Sequence, residues 1–135
     1  LLGGAAGSFV SPKHLDTPLT FEGTRAIGAS LGSGVVMVFD EDTDMSSIVL
    51  RIAAFFRDES CGQCVPCRVG TVRQEELLQR LARDGVQTSL EAEAHLLDEL
   101  GQVMRDASIC GLGHTAANAV QSAVTLGLFG GPKGE

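Results

Sequence analysis

The 135-residue sequence predicts an α+β chain in which a short segment of turns and extended backbone precedes a four-helix bundle. Three observations carry that reading. Seven of the 17 glycines fall within residues 1–34, a β-branched run closes that segment, and from about residue 44 apolar side chains recur three and four positions apart.

The opening holds the turn formers Ser11-Pro12 and Asp16-Thr17-Pro18, which favour short strands joined by tight turns over helix. Gly34-Val35-Val36-Met37-Val38-Phe39 is expected as a buried strand. It ends in the acidic turn Asp40-Glu41-Asp42, and Thr43 or Asp44 can then cap a helix whose Ile48, Ile52, Phe55 and Phe56 share a face. A second helix carries the stripe Leu77, Leu78 and Leu81, bounded by Glu75, Glu76, Arg80 and Arg83, with Gly85 as its stop. Thr88-Ser89-Leu90-Glu91 has capping-box spacing and starts a third, with Ala94, Leu97, Leu100, Val103 and Met104 on one face. The fourth runs from about Thr115 to Leu128 through Ala119, Val120, Ala123, Val124 and Leu126. The expected domains are therefore residues 1–44, too few to close a sheet alone, the bundle over 45–130, and a frayed tail over 131–135.

Charge excludes some partners. The formal net charge is −7, with two basic against six acidic residues in 1–44 and eight against eleven in 45–135. Neither part offers the clustered Lys and Arg that a phosphate backbone requires, so no nucleic-acid partner is expected. The longest apolar stretch, Ala116 to Gly131, is broken by Asn118, Gln121, Ser122 and Thr125 and is too short to span a bilayer. Leu1-Leu2-Gly3-Gly4 lacks an initiator Met, a basic n-region and a long apolar core. It reads as part of a longer chain rather than a signal peptide, and a cytoplasmic setting is expected.

The chemistry lies in the cysteines. Cys61-Gly62-Gln63-Cys64-Val65-Pro66-Cys67 is C-x2-C-x2-C, and Cys110 lies 43 positions beyond it. Three thiolates on one tight loop can bind three corners of a cubane iron–sulfur cluster, and a distant fourth can close the last corner when the chain folds back. Gly62 would let backbone approach the sulfides, while Pro66 fixes a turn. Arg68 and the positive end of a helix starting between Pro66 and Thr71 would offset the cluster's negative charge. Structural zinc also takes four thiolates, usually from two separated pairs, and stands as the alternative: a helical interaction module without redox chemistry. Disulfides fit poorly, because three cysteines within seven residues have few relaxed pairings. A cluster ligated by four thiolates has no open position for substrate, so its task is one-electron transfer.

The remaining candidates are weaker. His114 could hydrogen-bond near the cluster, although a solvent-facing residue at a helix start describes it more simply. His14 and His95 have no ligand-like surroundings. Glu59 could pair with Arg57 or Arg68, and Glu75-Glu76 reads as a solvated helix face. The Gly-rich stretches lack G-x-G-x-x-G between a strand and a helix, so tight turns explain them better than a phosphate cradle.

Glu59-Ser60-Cys61-Gly62-Gln63-Cys64-Val65-Pro66-Cys67-Arg68-Val69-Gly70, followed by Ser108-Ile109-Cys110, resembles the iron–sulfur region of the flavin-bearing, NADH-oxidising subunit of respiratory NADH:quinone oxidoreductase. NAD-linked formate dehydrogenases and NAD-reducing hydrogenases share that module. Gly3-Gly4-Ala5-Ala6-Gly7, Leu15-Asp16-Thr17-Pro18-Leu19 and Gly28-Ala29-Ser30-Leu31-Gly32-Ser33-Gly34 are similar to the family's ligand-binding β-grasp insert. The resemblance implies a β-grasp fragment over 1–44 and one [4Fe–4S] cluster on Cys61, Cys64, Cys67 and Cys110. It implies electron flow from NADH to flavin mononucleotide (FMN), then to this cluster, then to the clusters of partner iron–sulfur subunits. Gly111 and Leu112, just past the fourth ligand, would approach the flavin. The family's flavin and nicotinamide domain precedes the matched region, so the chain alone should not oxidise NADH. The implied setting is the peripheral arm of a membrane complex, without direct membrane insertion.

Overall fold

The computed structural model, which describes residues 1–84 and 90–129, has six α-helices, the first within an irregular opening and five after it. They are α1 (Phe21–Ala26), α2 (Met45–Glu59), α3 (Val65–Asp84), α4 (Leu90–Ala107), α5 (Gly111–Thr115) and α6 (Asn118–Thr125). Helices α2, α3, α4 and α6 form the expected bundle, with α2 on α3, α3 on α4, and α6 against both α2 and α4. Its core draws Val49, Ile52, Ala53 and Phe56 from α2, Leu77, Leu78 and Leu81 from α3, and Leu97 and Met104 from α4. Ala119, Val120 and Ala123 close it from α6. Small residues set the spacing here: a Cβ on Gly101 would stand 2.5 Å from Gln121 Nε2 and 2.9 Å from Ala117 Cβ, so glycine lets α4 lie close against the start of α6.

The β half of the expectation needs correction. Among the described residues there is no strand, only isolated bridges from Leu2 to Ser8 and to Val36. Leu1 and Met37 exchange two backbone hydrogen bonds of 2.9 Å, and Gly3 N–H donates to Val35 at 2.8 Å. Pairing stops there, so Val35, Val36, Met37 and Val38 are exposed, Val38 at 85%, where a buried strand was expected. The turn-rich opening also contains α1. Thr20 caps it by accepting from Gly23 N–H at 3.0 Å, and Glu22 lies in the first turn, favourable for the helix dipole. The opening docks on α6: Asn118 Nδ2 donates to the Ala6 carbonyl at 3.1 Å, and Phe9 N–H donates to Ser122 Oγ at 2.9 Å.

Of the two candidate caps for α2, Asp44 serves, accepting from Ser47 N–H at 3.2 Å. Thr43 instead bonds Asp40 at 2.5 Å. Asp44→Ala should therefore destabilise the fold by about 1 kcal/mol, read as a lower urea midpoint at unchanged slope, while Asp44→Asn should retain most of the stability.

Other boundaries shift for local reasons. Phe55 leaves the expected core face and is 47% exposed, packed edge-on to buried Phe56 with ring centroids 5.4 Å apart. Val103 likewise faces outward at 55%, while Met104 is fully buried. The expected fourth helix is shorter than the interval from Thr115 to Leu128 and forms as α6, while α5 is a further short helix, separated from it by Ala116-Ala117. There the fully buried Gln74 of α3 donates to the Ala116 carbonyl at 3.0 Å. The expected stop at Gly85, the capping box at Thr88–Glu91 and the tail lie outside the described residues, apart from Leu90 and Glu91 at the start of α4. No described helix is long and apolar enough to cross a membrane.

Candidate metal centre

Helices α3 and α5 begin at the same place. Cys64 precedes the first residue of α3, and Arg68 N–H closes the first turn on its carbonyl at 3.0 Å. Pro66 fits the second helical position because no amide hydrogen is needed there. The helix thus starts at Val65, just before the expected interval. Cys110 is the N-cap of α5 in extended backbone (φ −133°, ψ 170°), and His114 N–H bonds its carbonyl at 3.3 Å. Two sets of free amides and two positive dipole ends therefore face the region where both cysteines sit, a disposition that favours negative charge.

All four cysteines line a single cavity of about 220 Å³, with Ser60, Ile109 and Leu112 among its other walls. The thiols are free; Cys61 and Cys110 are exposed, Cys64 is half-buried and Cys67 is buried. The loop between Cys61 and Cys64 turns at Gly62, whose φ of 74° is the left-handed region that glycine adopts without strain. Arg68 folds back over this loop and donates to the Gly62 carbonyl at 3.5 Å.

The sulfurs differ in electrostatic setting. Cys64 is held below the ordinary thiol range, chiefly by the backbone N–H of Ile109 and then by that of Cys67. The buried Ser108 hydroxyl makes no hydrogen bond of ordinary geometry, yet lies near enough to Cys64 to favour its thiolate as well. Burial pushes the Cys67 thiol up; the Ser60 hydroxyl opposes this, while charge on Cys64, Cys110 and Cys61 adds to it. Each thiolate raises the cost of the next, so holding all four deprotonated requires cationic charge in the cavity.

His114 does not reach the sulfurs. Its Nε2 pairs with the Ser108 carbonyl at 2.8 Å, which fixes the turn leading to Cys110. Glu59 is exposed and lines the cavity; Arg57 and Arg68, its expected partners, bond elsewhere. Glu75 overturns the solvated-face reading: it is 6% exposed and pairs with Arg57, joining the end of α2 to α3 just below the cysteine loop. Gln79 donates to its other oxygen at 2.9 Å. Glu76 does face solvent, paired with Arg73 at 2.7 Å. Gly111 opens α5 in free space, with nothing within 4 Å of where a Cβ would stand, and Leu112 is half-buried beside the cavity.

The sequence alone assigned no role to Ser60, Ser108 or Gly113, although Ser60 and Ser108 stand within the motifs that carry the resemblance. Ser60 Oγ lies 3.4 Å from Cys67 Sγ. Gly113 is buried in α5, where a Cβ would stand 2.5 Å from Ser108 Cβ and 3.1 Å from Cys67 Cβ.

Residues 47–126 match the family model described as the NADH-ubiquinone oxidoreductase-F iron-sulfur binding region. The chain is 35% identical over 120 residues to the NADP-reducing hydrogenase subunit HndC of Solidesulfovibrio fructosivorans, covering 89% of this chain and 24% of that protein. It is 32% identical over 123 residues to the mitochondrial 51 kDa subunit of NADH-ubiquinone oxidoreductase from Neurospora crassa, covering 90% and 24%. A solved NAD+-reducing [NiFe]-hydrogenase in the H2-reduced state superposes with a TM-score of 0.76 at 36% identity, over 93% of this chain and 21% of that one. The chain thus spans about a quarter of the length of the curated relatives it matches.

Proposed function

Since the chain belongs to the family of the NADH-ubiquinone oxidoreductase-F iron-sulfur binding region, we propose that it is the electron-transfer segment of an NADH-oxidising subunit. In this reading Cys61, Cys64, Cys67 and Cys110 hold one [4Fe–4S] cluster, which passes single electrons from NADH-reduced FMN to the clusters of partner subunits. The observation that carries it is the one cavity lined by all four thiols.

The donor set fits the group. Four free thiols around one cavity suit a thiolate-bound cluster. Zinc, with sulfur about 2.3 Å away, would draw its donors nearly into contact and leave no such space. Among the described residues, no three His, Cys, Asp or Glu side chains gather tightly enough to chelate a single ion. The thiols are instead spread around a cavity, as a cage with ligands at its corners requires.

When bound, the cluster supplies storage and transfer of one electron at a time. The protein supplies the rest. Two helix N-termini and the amides of Ile109 and Cys67 stabilise sulfur charge. Bundle side chains shut water from the Cys67 side, while exposed Cys61 and Cys110 leave the opposite side open for a redox partner. Gly111 and Leu112 stand at the edge where the flavin would approach. We read residues 1–44 as a partial β-grasp unit, supported by the short pairing of Leu1–Gly3 with Val35–Met37, and residues 45–130 as the cluster-holding bundle. The partners are iron–sulfur subunits of a quinone-, formate- or hydrogen-linked complex, in its peripheral arm.

Anaerobically purified protein should be brown and bleach on reduction, with about four irons and four acid-labile sulfides per chain. Zinc without sulfide would overturn the reading. Removing iron with a chelator should also lower the melting temperature, because the cysteine loops are then joined by no metal and their thiolates repel. Equal midpoints for the two forms would count against a cluster that holds these loops together.

A further inference from the structure

Electron transfer through the proposed cluster gives no task to the hydroxyl of Ser60, which stands at the site with a sulfur beside it. Ser60 ends α2, its N–H reaching the Arg57 carbonyl at 3.4 Å, so its backbone is fixed by the helix terminus. Its Oγ lies 3.4 Å from Cys67 Sγ and 3.4 Å from the Gly62 nitrogen. A hydroxyl carries one proton and two lone pairs. Gly62 N–H takes one lone pair, which leaves the proton and the other lone pair to face the sulfur.

The direction of that bond follows from the ligand's chemistry. A cysteine that binds metal is a thiolate and can only accept, so Ser60 must donate to Cys67. Cys67 is also the most buried of the four cysteines, at 5% exposure, so water is poorly placed to replace a lost donor. Low local polarity strengthens the bond. Thr71, the nearest hydroxyl on α3, is committed to the Cys67 carbonyl at 2.9 Å and does not compete for the sulfur.

We propose that Ser60 is a positioning residue for electron transfer: its hydroxyl, donated to the buried Cys67 sulfur, raises the reduction potential of the cluster. The proposal rests on the cluster reading above. Uptake of one electron adds one negative charge, part of which falls on the four sulfurs, and no proton moves. Ser60 keeps its proton and donates more strongly to the more electron-rich sulfur, which stabilises the reduced form over the oxidised one.

The test is an anaerobic redox titration of the cluster-loaded chain, with dithionite as reductant and the reduced signal followed by electron paramagnetic resonance. At the wild-type midpoint, Ser60→Ala should lower the ratio of reduced to oxidised cluster about tenfold, a shift of about 59 mV to more negative potential for one electron. Ser60→Thr, which keeps the hydroxyl, should stay near wild type. Ser60→Val has nearly the shape of the threonine variant without its hydroxyl, so it should shift like Ser60→Ala and guards against a packing artefact. Full iron and sulfide in Ser60→Ala with an unmoved midpoint would overturn the proposal alone, as would equal shifts in the threonine and valine variants. A wild-type chain that takes up zinc and no sulfide would overturn the cluster reading itself, a result distinct from either of these.

Discussion

Cys110→Ser is expected to lose the cluster while keeping the fold. The substitution exchanges sulfur for oxygen at nearly constant shape, and Cys110 is exposed, so no core contact is lost. It is also the N-cap of α5 and makes no side-chain capping bond, whereas serine is among the best N-cap residues. Helix α5 should form at least as well in the variant. A serine hydroxyl, however, does not ionise near neutral pH and is a poor match for iron in a sulfur-rich cage. Even partners that only orient metal ligands change affinity 10–100-fold when removed, so deleting a ligand should lower iron and sulfide content by about tenfold or more. Far-ultraviolet circular dichroism should be unchanged. A variant with wild-type sulfide content and an unaltered resonance spectrum would remove Cys110 from the ligand set.

How much of this was legible in sequence depended on whether the signal was local. The cysteine loop is a local signal, since Cys61, Cys64 and Cys67 are close along the chain whatever the fold. The bundle helices were also legible, because apolar spacing reports the buried face directly: Ile52 and Phe56 on α2, Leu77, Leu78 and Leu81 on α3, and Leu97 and Met104 on α4 are all buried. The pattern failed where a tertiary partner decides. Glu75 reads as a surface carboxylate, and only the end of α2 passing beside α3 brings Arg57 to it. Val35 to Val38 read as a buried strand, but propensity cannot supply a neighbouring strand, and Leu1 to Gly3 pair with only part of the run. Gln74 carries no apolar signal, yet it is fully buried and holds the junction of α5 and α6. The same long-range packing hid the two serines beside the sulfurs, since a hydroxyl is informative only once the atom it faces is known.

Gly113→Ala should be the most damaging change outside the cysteines, and its neighbour Gly111 supplies the control. The two glycines are two residues apart in one short helix and face opposite surroundings. A methyl group at Gly113 would lie 2.5 Å from Ser108 Cβ, closer still to its hydroxyl, and 3.1 Å from Cys67 Cβ; at Gly111 it would meet nothing within 4 Å. Ser108 is short and buried, and its N–H is held by the Met104 carbonyl at 3.1 Å, so it cannot simply swing away. Helix α5 must therefore move off α3, and Cys110 moves with it, away from the three cysteines of the loop. Overpacking of this kind costs about 1–3 kcal/mol, which in a domain of this size lowers the melting temperature by about 5 °C or more. Iron and sulfide content should fall as well, because the fourth ligand is displaced. Gly111→Ala should leave the melting temperature unchanged or slightly raised, since alanine is the better helix former and space is free. Adding Ser108→Gly to Gly113→Ala removes both close atoms of Ser108 and should restore part of the lost stability and cluster content, a coupling that a double-mutant cycle can measure. If Gly113→Ala melted like the wild type and loaded fully, the close approach of α5 to Cys67 would not be what sets the position of Cys110.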